Sequence, residues 1–530
     1  MIIRRSKFVL VSTQFICTTQ ELLLLSNMFG LLLIVFVVLI ILWHKIRTHH
    51  WIKRQVPGPQ PWPIVGNIAE HLFGRKTIGQ VIKEIYRKYE GYPFVGIFRA
   101  THPCLLVRDP EFVHKIMVTD QKAFYNNEFN IDKKIDPLFG QNLFVLRDQD
   151  WKDTRQMLTA GFTSLKMKFM YENLTENARR LVEFIQNHPT AEDDGIETRE
   201  LTKRFTLENV ASAAFGIDGK CFESFTELSE FMKLANSVLE PEALSLSRIL
   251  IQLNAIFPVA SYFISFRIIP KEIEQKLVQI VSDVVKYRKE NHVQSNDYLQ
   301  FISQLAKEKG FDDTEITAHS VTFFFDGYES SSNVFTYLLL NLALHPQYQE
   351  KIREEIRKVE EENNGEITYD TLNEMKWLDA CFYETLRISP FLDILVKKCT
   401  QSYKYTPENP DFKKLSVKLY PGDTVIIPYS LLMNDEKYFE NPDKFMPERM
   451  MNRDNINKAI FFPFGSGARV CIGQRFGLMQ IKLGAAQVIK NFQISPDPKT
   501  KLPIRLIPFS FLNEVKGGVF LKYKRIERKN

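Results

Sequence analysis

Cysteine is scarce, and it is badly placed for the structures it usually builds. The six residues (Cys17, Cys104, Cys221, Cys381, Cys399 and Cys471) are scattered over 530 positions and never pair at short spacing. That excludes a disulfide framework and a zinc site, both of which need clustered thiols, and it suits a reducing compartment. No run of lysine and arginine is interleaved with aromatics, so the net charge of +6 gives no support for nucleic-acid binding. The dispersed basic residues argue weakly for an acidic partner or an anionic membrane. Internal repeats and low-complexity tracts are absent, and no second linker follows residue 67. That excludes a solenoid and favours one large body.

Phenylalanine, by contrast, is abundant, with 42 residues in a hydrophobic fraction of 45%. Such a composition allows a large core with an apolar cavity inside it. One strongly apolar stretch runs from Leu22 to Trp43, broken only by Ser26 and Asn27. A membrane span needs roughly 20 apolar residues, so an anchor helix is predicted over about 22–43. The flank after it carries His44, Lys45, Arg47, His49, His50, Lys53 and Arg54 and no small-residue cleavage site. Those features oppose a cleaved signal and put this side in the cytosol. Arg4, Arg5 and Lys7 compete from the other end, and Met28 would begin a shorter chain without them. Residues 1–55 therefore read as extension and anchor, 56–67 as a stiff proline-rich hinge, and 68–530 as the main body.

The residues that most invite chemistry form the run Phe464-Gly465-Ser466-Gly467-Ala468-Arg469-Val470-Cys471-Ile472-Gly473. Gly465 and Gly467 let the backbone curl round the sulfur through conformations a side chain would forbid. Gly473 leaves room for a flat ligand against the backbone, and a helix is predicted from Gln474 to Lys490. A cysteine at a helix N-terminus sits among free amide donors and the positive end of the dipole, which favours thiolate. Arg469, two residues back along what reads as an extended segment, falls on the same side and could reach an anionic group. Alone, Cys471 reads more simply as a buried thiol in a loop-to-helix turn.

Upstream, strand-like pieces cover Tyr92–Phe98 and Pro103–Val107, and residues 121–146 read as a long loop or short-helix region. Trp151 and Arg155 lie four apart, on one helical face. Thr314–Leu344 predicts a single long helix, started by Asp312 or Thr314, ended by His345-Pro346, and apolar enough to be buried. At its centre, Asp326-Gly327-Tyr328-Glu329-Ser330-Ser331 places a glycine, hydroxyls and two carboxylates, each needing a partner or a purpose. Glu384 and Arg387 stand at i and i+3 among Trp377, Leu378, Phe382 and Leu386, which predicts a buried pair. Tyr420-Pro421-Gly422-Asp423 reads as a hairpin turn into a strand over Thr424–Ile427.

Together these runs resemble the signatures of the cytochrome P450 family, in family order and spacing, over about residues 56–530. The cysteine loop matches Phe-x-x-Gly-x-Arg-x-Cys-x-Gly at every specified position. The hinge, Trp-x-x-x-Arg, the polar helix centre and Glu-x-x-Arg accompany it. The resemblance implies a mainly α fold with small β-sheets (α+β), a long central helix over a haem, and an N-terminal transmembrane anchor. It implies Cys471 as the axial thiolate ligand of the iron in haem b, pushing electron density onto the metal. Phe464 and Gly473 would border the cofactor, and Arg469, Trp151 and Arg155 would contact its propionates. Glu329 and Ser330 would form an acid–alcohol pair that relays protons. Glu384, Arg387 and Arg449 would form a buried charge network holding the approach to the cysteine.

The implied reaction inserts one atom of O2 into a lipophilic small molecule, whether xenobiotic, steroid or fatty-acid-like. Electrons would come from NADPH through a P450 reductase, with cytochrome b5 as a further partner. The setting would be the endoplasmic reticulum membrane, and the likeness is to microsomal P450s of insects that act on xenobiotics and hormones. Four positions depart from the family pattern. Ser330 replaces the usual threonine and lacks the methyl that restricts its rotamer. Asp326 replaces alanine or glycine. In family members that hydroxylate fatty-acid chain ends, an acid here can become esterified to a haem methyl; an acid can also select a polar or basic substrate group. Lys397 takes an arginine's place on a propionate and loses the bidentate geometry, and Met450 replaces phenylalanine. Two other classes stay in view: an isomerase or dehydratase of the same fold that uses no O2, disfavoured by the survival of Glu329-Ser330, and a non-catalytic membrane haem protein. The pocket lining is expected from 121–146, 205–260 and 391–396.

Overall fold

The computed structural model describes residues 27–239, 267–510 and 512–527, apart from 33, 36, 37, 40, 41, 43 and 47. The expected anchor therefore falls partly outside the described residues, as does the 240–260 part of the expected pocket lining. The described residues of 27–53 are helical, with Phe29, Leu31, Leu32, Ile34, Leu39 and Leu42 exposed. No helix among the described residues is long and apolar enough to cross a membrane. Near the end of this stretch Trp51 docks on the body, its Nε1 donating to the Ile97 carbonyl at 3.0 Å. The ring lies where a Cβ on Gly96 would stand, so only glycine admits it there. Arg54 pairs with Asp423 at 2.5 Å.

Three small sheets accompany a helical majority among the described residues. In the first, β1 (Phe94–Arg99) and β2 (His102–Val107) pair antiparallel, close to the expected strand pieces. β2 runs parallel to β8 (Thr424–Ile427), β8 antiparallel to β5 (Leu395–Lys398), and β5 antiparallel to the short β3 (Asn126–Asn127). The second sheet joins β4 (Ile196–Glu197), β10 (Phe520–Arg525) and β9 (Phe492–Pro496). The third pairs β6 (Tyr403–Tyr405) with β7 (Val417–Leu419).

One expectation is corrected here. Tyr420–Asp423 is a turn, closed by Asp423 N–H donating to Tyr420 O at 3.0 Å, but it is not a hairpin. The strand before it belongs to the third sheet and the strand after it to the first. All four residues of β8 are buried, and β8 reaches that burial by leaving its sequence neighbour for partners in the first sheet.

Five helices position the site: α1 (Asp148–Thr159), α2 (Thr198–Val210), α3 (Asp313–Leu344), α4 (Lys376–Ile388) and α5 (Gln474–Asn491). The central helix α3 opens on a capping box. Asp312 Oδ1 accepts Glu315 N–H at 2.8 Å, and Glu315 Oε2 accepts Asp312 N–H at 3.1 Å. Phe324, Phe335, Leu338 and Leu339 on α3 are fully buried, and burying one such side chain stabilises by about 1.5–3 kcal/mol. Hydroxyls that would be costly there return to the helix's own carbonyls: Thr317 to Asp313, Ser320 to Ile316, Thr322 to Ala318.

Candidate functional site

Cys471 lies between a 3₁₀ turn, Gly467–Arg469, and the start of α5. Gly465 and Gly467 take φ of +76° and +66°, the left-handed region that glycine enters without strain. A Cβ on Gly467 would stand 1.9 Å from the Met117 carbonyl oxygen. Cys471 N–H closes the loop onto Phe464 O at 2.8 Å, and Ala468 N–H donates to Gln121 Oε1 at 2.9 Å. Phe464 lies near-parallel to Phe382, with centroids 6.4 Å apart. The expected extended run at Arg469 is therefore a tight turn, because the two glycines let the chain reverse.

Burial pushes the Cys471 thiol up to about 11, although Gly473 N–H donates toward the sulfur and Arg155 favours the charged form. The helix N-terminus alone thus does not produce the expected thiolate. A thiolate here needs a cation on the sulfur, and a coordinating metal deprotonates a thiol outright.

Cys471 and Asp326 are ringed by protein yet keep accessible side-chain surface, so both line an interior chamber. The two feel each other electrostatically, as Arg155 feels Cys471. Arg469 donates from Nε, Nη1 and Nη2 to the carbonyls of Tyr125, Leu143 and Leu146 at 3.0, 2.8 and 2.9 Å. Its guanidinium carbon lies 3.9 Å from the Trp151 ring centroid. Three of its five donors thereby tie residues 125–146 to the cysteine loop, which leaves a narrower fork for an anion than the sequence suggested. Lys397 Nζ donates to Asn127 Oδ1 at 2.8 Å, across the β3–β5 pair.

These cations carry a shared cost. Burial lowers Arg155, brings Arg469 down to about 9, and, with Arg469 beside it, brings Lys397 down to about 7. Among the described residues none of the three forms an ion pair with a carboxylate. Lys397 is buried and the two arginines are half-buried, and charges so withdrawn from water are normally paired, so this cluster fits a group that brings its own carboxylates. Gly473 fits a flat group as well, since a Cβ there would meet nothing nearer than Phe162 at 4.0 Å. The donor set suits a planar, acid-bearing metallo-cofactor of the haem kind with a thiolate ligand.

The polar centre of α3 is distributed rather than gathered. Ser330 Oγ donates to Asp326 O at 2.8 Å. Glu329 turns away, its Oε1 2.5 Å from Arg199 Nη2 and its Oε2 3.9 Å from Lys203 Nζ, and Arg199 also pairs with Glu514. Successive helical residues point about 100° apart, so the expected acid–alcohol pair addresses two different neighbours. Asp326 receives Asn142 Nδ2 at 3.2 and 3.1 Å, and burial raises its carboxyl to about 6. Gln480 of α5 donates to Gly327 O at 2.9 Å and to Ser331 Oγ at 2.8 Å, and Thr206 of α2 donates to Tyr328 O at 3.2 Å.

Glu384 and Arg387 on α4 are fully buried and bidentate, Oε1–Nη2 and Oε2–Nε both at 2.8 Å. Arg387 also donates to Met433 O at 3.1 Å and to Lys444 O at 3.2 Å, and Met446 N–H donates to Glu384 Oε1 at 3.0 Å. Arg449 Nε stands 3.2 Å from Glu384 Oε1, an ion pair without hydrogen-bond alignment. The three charges thus meet at the segment that leads toward the cysteine loop. Trp151 is buried on α1 with Arg155 one turn further on.

Five residues of the site were not legible as such: Gln121, Asn127, Asn142, Arg199 and Gln480. Each bonds a group more than a hundred residues away, and nothing in its local sequence marks it.

The family profile described as Cytochrome P450 matches residues 56–521. Cytochrome P450 6j1 of Blattella germanica is 33% identical, covering 92% of this chain and 96% of that protein. Probable cytochrome P450 28d1 of Drosophila melanogaster is 32% identical over 89% and 94%. Cytochrome P450 9e2 of Blattella germanica is 30% identical over 88% and 92%.

Proposed function

The chain belongs to the cytochrome P450 family, and from that premise we propose a microsomal monooxygenase acting on a lipophilic small molecule. It takes electrons from NADPH through a flavoprotein reductase, with cytochrome b5 as an accessory donor, and sits on the cytosolic face of the endoplasmic reticulum membrane. The observation that carries the reading is Cys471, held in a closed loop and facing a chamber beside the buried Lys397 and the half-buried Arg155 and Arg469, none with a carboxylate partner among the described residues. The membrane setting is supported by the exposed apolar side chains of Phe29, Leu31, Leu32, Ile34, Leu39 and Leu42 and by the basic flank after them.

Bound, the haem supplies activation of O2 and transfer of one oxygen atom to the substrate. Cys471 Sγ would hold the iron, Arg155, Arg469 and Lys397 would hold the cofactor's acids, and Phe464 and Gly473 would border it. Ser330 Oγ holds an exchangeable proton at the chamber wall. Glu329, once it lets go of Arg199, takes a proton from solvent and passes it on to replace the one Ser330 gives up. Glu384, Arg387 and Arg449 keep the loop in register without touching substrate.

Two measurements on the purified holoenzyme test this. The reduced carbon-monoxide complex should show the red-shifted band of thiolate ligation and lose it in Cys471→Ala. With reductase present, NADPH oxidation should rise on adding substrate. Thiolate-ligated haem with no reductase-dependent NADPH use would reject monooxygenation in favour of an isomerase or a haem carrier.

A further inference from the structure

Asp326 is a carboxylate in a place that offers it little. It lies at the middle of α3, enclosed by protein but open to the chamber. Its one hydrogen-bond partner among the described residues is Asn142 Nδ2. The orientation of that amide is set by its other end, since Asn142 Oδ1 accepts Phe144 N–H at 2.7 Å. An ionised carboxylate has about four acceptor sites, and a single neutral amide fills only part of that capacity. No cation among the described residues pairs with it, although Arg155, Arg469 and Lys397 gather elsewhere round the cysteine loop. Its surroundings add little polarity. Phe323, one turn earlier on the same helix face, stacks with Phe162 and packs on Tyr298 and Phe476, with centroids 4.8 to 5.4 Å apart.

A purely mechanical role, Asn142 strapping the 139–146 segment to the central helix, would be served as well by a neutral side chain. A neutral residue would also avoid the cost of burying a charge. What distinguishes a carboxylate is attraction for a positive ligand and rejection of a negative one.

Resting on the monooxygenase reading above, we propose that Asp326 makes the chamber a site for lipophilic cations, amines that carry a positive charge, and disfavours carboxylates. The carboxylate sets which end of the molecule lies against α3, with Asn142 as its positioning residue. Burial that holds the carboxyl at about 6 still leaves it largely ionised at neutral pH, in keeping with this role.

The test uses ferric holoenzyme and three ligands of one chain length, read by the haem absorbance change. They are dodecyltrimethylammonium, whose quaternary nitrogen cannot ligate iron, its neutral isostere with carbon in place of nitrogen, and dodecanoate. The wild type should bind the cation about tenfold more tightly than the neutral isostere, and the carboxylate most weakly. Asp326→Asn should bring cation and isostere within about twofold, and Asp326→Glu should keep the preference. Equal affinities in the wild type, or an undiminished preference in Asp326→Asn, overturn the proposal. So does haem that resists acidic organic extraction from wild type but not from Asp326→Asn, because the carboxyl would then be esterified. Failure to take up haem removes the monooxygenase reading and this inference with it, whereas silence of the haem-loaded protein toward all three ligands removes the inference alone. Haem uptake with equal affinities removes the inference alone.

Discussion

Desolvation holds the Asp326 carboxyl at about 6, above its ordinary 3.8, so the folded chain binds this proton more tightly than the unfolded one. Its contribution to stability is therefore fullest below the unfolded value and is lost as pH rises through the folded one. Asp326→Asn, which cannot ionise, should gain more in Tm over wild type near about pH 7.5 than near about pH 5. A Tm difference independent of pH would contradict that account. Ser330 presents the second question at this scale. Its hydroxyl rests on the Asp326 carbonyl without the methyl that would fix the rotamer. A rotamer bias of roughly 0.4 kcal/mol doubles an aligned population. Ser330→Thr should accordingly lower hydrogen peroxide released per NADPH by about twofold, measured by peroxide assay beside NADPH oxidation. Unchanged peroxide would show the serine to be already well aligned. Ser330 and Asp326 were marked by sequence alone as departures from a pattern. That Glu329 is occupied by Arg199 was not, since the two lie 130 residues apart.

Among the elements, the cysteine loop and the Glu384–Arg387–Arg449 network can be separated by substitution. Gly467→Ala forces a side chain into a left-handed conformation and against the Met117 carbonyl. The backbone term alone costs roughly 1–2 kcal/mol. We expect a lowered Tm and partial haem content, by thermal melt and haem titration. Glu384→Ala strands two arginines, Arg387 fully buried, and breaking such a network costs about 3–5 kcal/mol. Haem loss should therefore precede any slowing of turnover; a variant with full haem content that turns over slowly would contradict a structural role. The long central helix was legible because its caps and its apolar surface are local properties. The Tyr420–Asp423 turn was read correctly as a turn and wrongly as a hairpin, since a strand's partner is chosen by which sheet can bury it.

At the scale of the whole molecule, the large exposed apolar side chains of the described residues gather toward the N-terminal side. Among the described residues, exposed Phe29, Leu31, Leu32, Ile34, Leu39 and Leu42 on helix are followed by exposed Trp62, Ile64 and Phe73 on the body. Removing residues 1–46 should release most of the protein from sedimenting vesicles, with Trp62, Ile64 and Phe73 leaving a residual association. Full retention after the deletion would move the membrane contact onto the body. Taken alone, the chain's order of residues determined the central helix and the buried acid–base pair on α4, and it marked Cys471 out from the other five cysteines. Those follow from spacing and composition, which act over a few turns of chain. Tertiary structure alone decided that three cations crowd the cysteine loop with no carboxylate partner among the described residues, that Asn142 and Asp326 meet, and that Glu329 and Ser330 face apart. Contacts of that kind depend on how distant segments pack, because burial and pairing energies are set by neighbours in space and not in sequence.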